Sequence, residues 1–240
     1  KTSHTPIGFG TTLASRHQRE LLLIAVAPNI TTRSKSVLKC NADAILFDES
    51  ILTILPSITD QLSDLIWGIN LSEPRSNEKL KSNDHKADFL VVQQNAPVRK
   101  YPASNNPGLF LEIQPNLEDR LVSALDALPI DGLILRGLQN RPLTFNTLMD
   151  VASLCTLCDK YILVELQDSL QDSDLNALCE IGVDGIIVNT GTTSIKSINR
   201  LAAALDKLLP PKTTKQRMRT TAVSSESNLQ TTHIEDDDDL

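Results

Sequence analysis

Eight short apolar segments recur along the chain, and most are separated by stretches with helical character. The segments are rich in Val, Ile and Leu and do not alternate with polar residues, which is typical of strands buried on both faces of a sheet. Their predicted bounds are Leu21–Ala27, Ala44–Phe47, Leu65–Leu71, Ala87–Val92, Gly108–Ile113, Gly132–Leu135, Tyr161–Leu166 and Gly185–Val188. The clearest helices are predicted over Leu117–Leu128, Thr144–Cys158, Asp172–Ile181 and Ser194–Leu209, and Asp172 stands at the position of an N-cap. Strands that alternate with helices form parallel βαβ units.

A shared motif precedes the even-numbered strands. An aspartate stands just before each of these four runs, and we expect it to bond turn amides at the bottom of the strand. These aspartates are Asp43, Asp88, Asp131 and Asp184. A motif that returns at every second strand indicates a repeated βαβα unit. The pattern predicts a compact (β/α)₈ TIM-type barrel over residues 19–210.

An open doubly wound sheet is the competing architecture. Such a sheet uses a glycine-rich first turn to bind a nucleotide, and Ala27-Pro28-Asn29-Ile30 contains no glycine. The closed barrel is therefore favoured.

The chain outside the strongest pattern is polar. Glu73–Lys86 has a weak apolar stripe, and Gln93–Pro107 is interrupted by prolines, so we expect the fourth crossover to contain little helix. Residues 211–240 run from a basic patch to Asp236–Asp239, which predicts a disordered tail. The tail has two open interpretations, a solvated segment and a docking peptide for a protein partner. Residues 1–18 are predicted to be a flexible segment or a lid over one barrel end.

Composition excludes several classes of protein. The net charge of −7 and an aromatic content of 3% argue against nucleic-acid binding, which needs a basic face or stacking platforms. No apolar run approaches the length of a membrane span. The four cysteines are few for 240 residues, which indicates reduced thiols and a cytoplasmic location.

Polar residues close the predicted strands. Each run ends with one polar residue that is flanked by apolar or small neighbours. Because the apolar neighbours face the helices, we expect the polar side chains to point into the barrel at its C-terminal end, where barrel enzymes keep their sites. The set comprises Asp48, Asn70, Gln93, Glu112, Arg136, Glu165 and Asn189, with Asn29 as a possible eighth member.

Three interpretations of this ring stay open. In the first, Glu112 and Glu165 are an acid–base pair, Arg136 fixes a substrate anion, and Asp48 and Asn70 contact the substrate. In the second, the three carboxylates hold Mg²⁺ with help from Asn70 or Asn189. In the third, an ion-pair network closes the barrel top and no cofactor is bound.

The loop after the last strand has two interpretations. Asn189, Gly191 and Thr192 stand where many barrels bind a phosphate with backbone amides. The alternative is an ordinary helix N-cap formed by Thr192 or Thr193.

Other chemistries find no support in the sequence. Cys155 and Cys158 have the spacing of a redox motif but fall inside a predicted helix, where ordinary packing is favoured. None of the four histidines and no lysine stands at a strand end, which argues against His-based triads and Schiff-base chemistry. The chain also lacks a Walker-type phosphate loop.

Several segments resemble known barrels. Leu128–Ile134 and Ala177–Thr190 are similar to the strand units of phosphate-binding and aldolase-type barrels, and Leu143–Val188 resembles uncharacterised bacterial barrel-like proteins. Phe110–Leu135 resembles metal-dependent keto acid aldolases of the citrate-lyase type. That resemblance implies a metal ligand at Glu112, but no aspartate follows Gly137 to match the family's second ligand.

Two functional hypotheses follow. The first is a lyase or isomerase that acts on a small keto acid or phosphorylated compound at the barrel mouth, without a cofactor or with Mg²⁺. The second is a non-catalytic barrel, a pseudoenzyme or binding scaffold, whose tail recruits a partner.

Overall fold

The computed structural model describes residues 19–28, 34–71, 87–96, 107–115, 117, 119–138, 143–167 and 170–209. Within these ranges, eight parallel strands pair in chain order, and β1 closes the barrel by pairing with both β2 and β8. The strands are β1 (Leu22–Ala27), β2 (Ala44–Asp48), β3 (Ile66–Leu71), β4 (Phe89–Gln93), β5 (Gly108–Ile113), β6 (Gly132–Leu135), β7 (Tyr161–Glu165) and β8 (Gly185–Asn189). The predicted TIM-type barrel is confirmed, with strand bounds that differ by at most two residues from those expected.

Helices follow β2, β5, β6, β7 and β8 in the described ranges. They are α1 (Ile51–Ile54), α2 (Thr59–Leu62), α3 (Asp119–Leu125), α4 (Phe145–Leu157), α5 (Asp172–Glu180) and α6 (Ile195–Leu205). Short 3₁₀ turns cover Ser34–Lys39 and Leu55–Ser57. The four helices predicted most clearly from the sequence are α3 to α6, each slightly shorter than expected.

Two predicted N-caps are wrong. The cap of α5 is Gln171 rather than Asp172, because the Gln171 amide donates to Asp174 Oδ2 at 2.9 Å in a reciprocal capping box. The cap of α6 is Ser194, whose Oγ accepts from the Ser197 amide at 3.1 Å. Thr192 and Thr193 lie in the preceding turn, so neither begins the helix.

Apolar side chains fill the barrel interior in alternating positions. The strands contribute one inner cluster, and a second, larger cluster lies between the barrel and the helices. Inside the barrel, the rings of Phe89 and Phe110 meet edge to face with centroids 5.8 Å apart. Gly132 leaves the space that the Phe110 ring occupies, because a Cβ atom there would overlap the ring. The barrel is therefore a packed core and not a pore.

At the N-terminal end of the barrel, the same hydrogen bond between an aspartate and a strand amide occurs four times. Each aspartate before an even strand accepts a hydrogen bond from the amide of the second residue in the preceding odd strand. The bonds run from Leu23 to Asp43, Trp67 to Asp88, Leu109 to Asp131 and Ile162 to Asp184, at 2.7–2.9 Å. Each aspartate amide donates in return to the carbonyl of the same residue. The aspartates thus bond strand amides rather than the turn amides that the sequence suggested.

Some predictions fall outside the described residues. They concern the flexible segment 1–18, Asn29, most of the third and fourth crossovers, and the tail at 211–240. Among the helices that are described, none has both the length and the apolar character needed to cross a bilayer.

Candidate functional site

The polar side chains at the strand ends face the barrel interior because side chains alternate between the two faces of a strand. Glu112 follows the inner residue Phe110 by two positions, and Glu165 follows Leu163 in the same way. Arg136 stands two positions after the inner residue Ile134, just past the end of β6. Since side chains two apart on a strand share a face, these charged groups point toward the barrel axis at its C-terminal end.

Arg136 connects two neighbouring strands. Its Nη1 donates to Glu165 Oε2 at 2.9 Å, and its Nη2 lies 2.5 Å from Glu112 Oε1. The Glu165 side chain is only 2% exposed, whereas those of Glu112 and Arg136 are 12% and 21% exposed. The guanidinium is thus held between one buried carboxylate and one that reaches the mouth. We call Glu112, Arg136, Glu165 and Asn70 the mouth cluster.

Asn70 joins the mouth cluster through Glu112. Its Nδ2 donates to Glu112 Oε1 at 3.1 Å, which is the oxygen that also contacts Arg136. Arg136 Nη2 is occupied by its short ion pair with the Glu112 carboxylate. Asn70 Oδ1 and Arg136 Nε are buried and have no hydrogen-bond partner among the described residues.

Burial raises the pKa of Glu112 above the usual glutamate value. The positive charge and hydrogen bond of Arg136 act in the opposite direction, as does the Asn70 hydrogen bond, but they do not cancel the burial effect. The carboxylate of Glu165 adds to the increase. Glu112 therefore retains a proton at higher pH than an exposed glutamate, which suits a group that transfers protons.

Asp48 and Gln93 flank the mouth cluster at neighbouring strand ends. Asp48 stands opposite Asn70 in the β2–β3 register, and Gln93 stands opposite Glu112 in the β4–β5 register. Asp48 Oδ1 accepts from the Ser50 amide at 3.1 Å and from the Ser50 hydroxyl. Asp48 is thus at the mouth, with one oxygen committed to its own turn.

The loop after β8 folds around Asn189. The Gly191 amide donates to Asn189 Oδ1 at 2.8 Å, and the Thr192 amide and hydroxyl both donate to the Asn189 carbonyl at 3.2 Å. The Thr193 amide bonds the same carbonyl at 2.8 Å. A phosphate bound by these amides would have to replace the internal hydrogen bonds, so the phosphate interpretation stays a prediction that requires the loop to rearrange.

A metal site has no ready set of ligands in this part of the chain. Across the described ranges, no three side chains from His, Cys, Asp and Glu are grouped to hold an ion. Arg136 contacts both Glu112 and Glu165, so an ion bound by these carboxylates would be placed next to a guanidinium. The Mg²⁺ interpretation is untested and stays a prediction.

The cysteine pair belongs to the packing of α4. Cys155 and Cys158 are buried and form no disulfide, and Cys158 Sγ donates to Asp126 Oδ1 at 3.1 Å. Cys40 and Cys179 are also free.

A feature that the sequence did not reveal is a cavity of about 90 Å³ between the end of β5 and α4. Gln114, Asp150 and Ser153 supply its polar lining. Gln114 follows β5, whereas Asp150 and Ser153 lie three residues apart on α4, so the packing of the helix on the strand brings them together.

Comparison with known proteins bears on the fold. No protein-family model matches the chain, and no curated protein does. A thiamine phosphate pyrophosphorylase from Pyrococcus furiosus is similar in structure, with a TM-score of 0.56 and 12% identity over 80% of this chain and 98% of that one. A mutant tryptophan synthase α-subunit from the same organism gives a TM-score of 0.58 at 12% identity, covering 79% and 98% of the two chains.

A structure described as native KDPGal has a TM-score of 0.51 at 15% identity and covers 80% of this chain and 95% of that one. The likeness is one of fold. It confirms the fold-level resemblance to (β/α)₈ barrels that the sequence predicted, and identities this low carry no residue roles.

Proposed function

We propose that the barrel mouth binds a small anionic keto acid or phosphorylated compound and acts on it as a lyase or isomerase. The observation that carries the proposal is the state of Arg136. Its guanidinium lies at the mouth between two carboxylates, yet its buried Nε has no hydrogen-bond acceptor among the described residues. Carboxylate and phosphate oxygens are the acceptors that match a guanidinium best.

Exposure divides the roles of the two glutamates. Glu112 reaches the mouth and has a raised pKa because it is buried, so it is the group we assign to proton transfer. Glu165 is almost wholly buried and bonds Nη1, so its proposed role is to position Arg136. The acid–base work then rests on one glutamate rather than on the pair that the sequence suggested.

The remaining predicted contacts are placed at the rim of the mouth. Asn70 reaches the substrate beside Glu112, and Asp48 stands next to it on β2. Asn189, Gly191 and Thr192 contribute from the end of β8, next to β7, if their internal hydrogen bonds open on binding.

A non-catalytic barrel is the second candidate, and one observation favours it. The amides of Gly191, Thr192 and Thr193 are all satisfied within their own turn. With Arg136 paired to both glutamates, the top of the barrel then acts as a polar plug. Partner binding would in that case fall to the tail at 211–240.

Ligand-induced changes in melting temperature separate the two candidates. We would screen the full chain with phosphate, small keto acids, Mg²⁺ and Mn²⁺, since a ligand that binds the folded state raises Tm. The variant Arg136→Lys keeps the charge but loses the planar donor fork, and Arg200→Lys is a matched control on the exposed face of α6.

The enzyme proposal expects phosphate or a keto acid to raise Tm in the wild type and in Arg200→Lys, with most of the shift lost in Arg136→Lys. An absence of any shift, or an equal shift in Arg136→Lys, contradicts it and favours the plugged barrel.

A further inference from the structure

Buried side-chain atoms that lack a hydrogen-bond partner collect at a single point of the described structure. They are Asn70 Oδ1 and Arg136 Nε, and both belong to the mouth cluster. Folded proteins satisfy nearly all their buried polar groups, so a group of unsatisfied atoms at one place calls for a specific partner.

The two atoms require different partners. Arg136 Nε can only donate, and it belongs to a positively charged group. Asn70 Nδ2 faces the Glu112 carboxylate because only the amide nitrogen can donate to it, which leaves Oδ1 turned away as an acceptor. A molecule that satisfies the cluster therefore needs an anionic oxygen for Arg136 and an O–H group for Asn70.

The spacing of the cluster limits the size of that molecule. Glu112 Oε1 lies 3.1 Å from Asn70 Nδ2 and 2.5 Å from Arg136 Nη2, so Asn70 and Arg136 contact the same carboxylate oxygen. Val91 and Ile134 stand level with Asn70 and Glu112 in the sheet register and are fully buried, so the barrel beneath is filled. The hydroxyl and the anionic group must therefore sit on neighbouring carbons of a short molecule.

The atoms become reachable by side-chain rotation at the mouth. Arg136 and Glu112 keep 21% and 12% of their side-chain surface exposed, so they can turn outward without a change in the barrel backbone. Rotation of Arg136 would exchange its ion pair with Glu112 for contacts with the ligand.

From these contacts we infer that the mouth cluster selects a small hydroxy acid or hydroxylated phosphate ester, with its anionic group on Arg136 and its hydroxyl donating to Asn70 Oδ1. The inference rests on the proposed function, because it names the substrate class of the same site. It adds that Asn70 determines specificity.

Two matched ligand pairs test the inference by calorimetric titration of the full chain. The first pair is lactate and propionate, and the second is hydroxyethyl phosphate and ethyl phosphate; each pair differs by a single hydroxyl. We expect the hydroxylated member to bind about five-fold more tightly, since one hydrogen bond contributes on the order of a kcal/mol. The pair that binds also identifies the anion as a carboxylate or a phosphate.

Variants separate recognition from structure. In Asn70→Ala we expect the difference within each pair to disappear, whereas a purely structural role would weaken both members of a pair alike and preserve the difference. Asn176→Ala on the exposed face of α5 is the control. If Asn70→Ala does not fold, the comparison within each pair in the wild type still decides.

Each outcome has a distinct meaning. Equal affinity within both pairs, with binding that still requires Arg136, overturns the hydroxyl inference and leaves the proposed function standing. Failure of all four ligands to bind overturns both.

Discussion

The two ends of the barrel are built in opposite ways. At the N-terminal end, each of four aspartates accepts a hydrogen bond from a backbone amide of the preceding odd strand. The amide of each aspartate donates in return to the carbonyl of the same strand residue. At the C-terminal end, the residues differ from strand to strand, and Asn70 Oδ1 and Arg136 Nε in the mouth cluster have no hydrogen-bond partner among the described residues. A repeated motif whose hydrogen bonds are all formed is typical of a structural role. Irregular polar groups that have unused hydrogen-bonding capacity are typical of a binding site.

The two ends of the barrel also differ in the free-energy cost of burying their charged groups. The N-terminal end places one aspartate at every second strand junction, and Arg19 adds ion pairs to Asp43 and Asp206 there. The mouth instead places two carboxylates against one guanidinium, so the triplet carries an excess negative charge when both glutamates are ionised. A group of this kind is poorly suited to stabilise the fold and is better explained by binding.

The largest expected effect comes from breaking the mouth triplet. Arg136→Ala leaves Glu165 buried without its counter-ion, so we expect the free energy of unfolding to fall by about 3–5 kcal/mol. Urea denaturation measures it, with Arg200→Ala as the exposed control. If Arg136→Ala lowers the free energy of unfolding only as much as Arg200→Ala does, the charges of Glu112, Arg136 and Glu165 are well hydrated. The contrast drawn between the two ends of the barrel would then be wrong.

Glycine substitutions in the strands have the next largest effect. A Cβ added at Gly132 overlaps the Phe110 ring and comes within 2.9 Å of the Tyr161 carbonyl oxygen, so Gly132→Ala should cost about 1–3 kcal/mol. Gly108→Ala is a matched control, because its nearest neighbours lie at 3.6 Å, an ordinary contact. Equal melting temperatures for the two variants would contradict the packed interior.

Removing one of the four repeated bonds has a smaller effect. Asp88→Ala leaves the Trp67 amide without its acceptor at 2.9 Å, and we expect a loss of about 1 kcal/mol. Asp88→Asn keeps an acceptor and should retain most of the stability. If Asp88→Asn and Asp88→Ala have the same urea midpoint, the hydrogen bond from the Trp67 amide to the Asp88 side chain does not stabilise the pairing of β3 and β4.

The smallest effect is a pH dependence at the mouth. Because burial holds the pKa of Glu112 above its usual value, the folded state binds this proton more tightly than the unfolded state. The resulting stabilisation is complete below the ordinary glutamate pKa and is lost as the pH rises through the raised value. Glu112→Gln removes this titration, so its Tm relative to wild type should increase with pH across that window.

Glu180→Gln, which lies on the exposed end of α5, provides the baseline for this pH series. A Tm difference between Glu112→Gln and wild type that does not change with pH would contradict the assignment of Glu112 as the proton carrier.

The sequence was sufficient to predict the barrel because its strands are buried on both faces and an aspartate precedes every second one. The inward direction of Glu112, Arg136 and Glu165 followed from strand parity alone. The cap at Gln171 was missed because glutamine is not among the preferred capping residues. Which oxygen meets which nitrogen depends on the stagger of neighbouring strands, and no periodicity in the sequence encodes it.

The guanidinium of Arg136 offers the most direct test of the claim that the mouth is a binding site. Its Nε–H resonance can be followed by NMR while phosphate, lactate or hydroxyethyl phosphate is added, and Arg136→Lys assigns the signal by its loss. The account predicts a saturable shift of this resonance with at least one of the three ligands, while the signal of Arg200 stays unchanged. A resonance that does not move with any of them, or that moves together with Arg200, would contradict it.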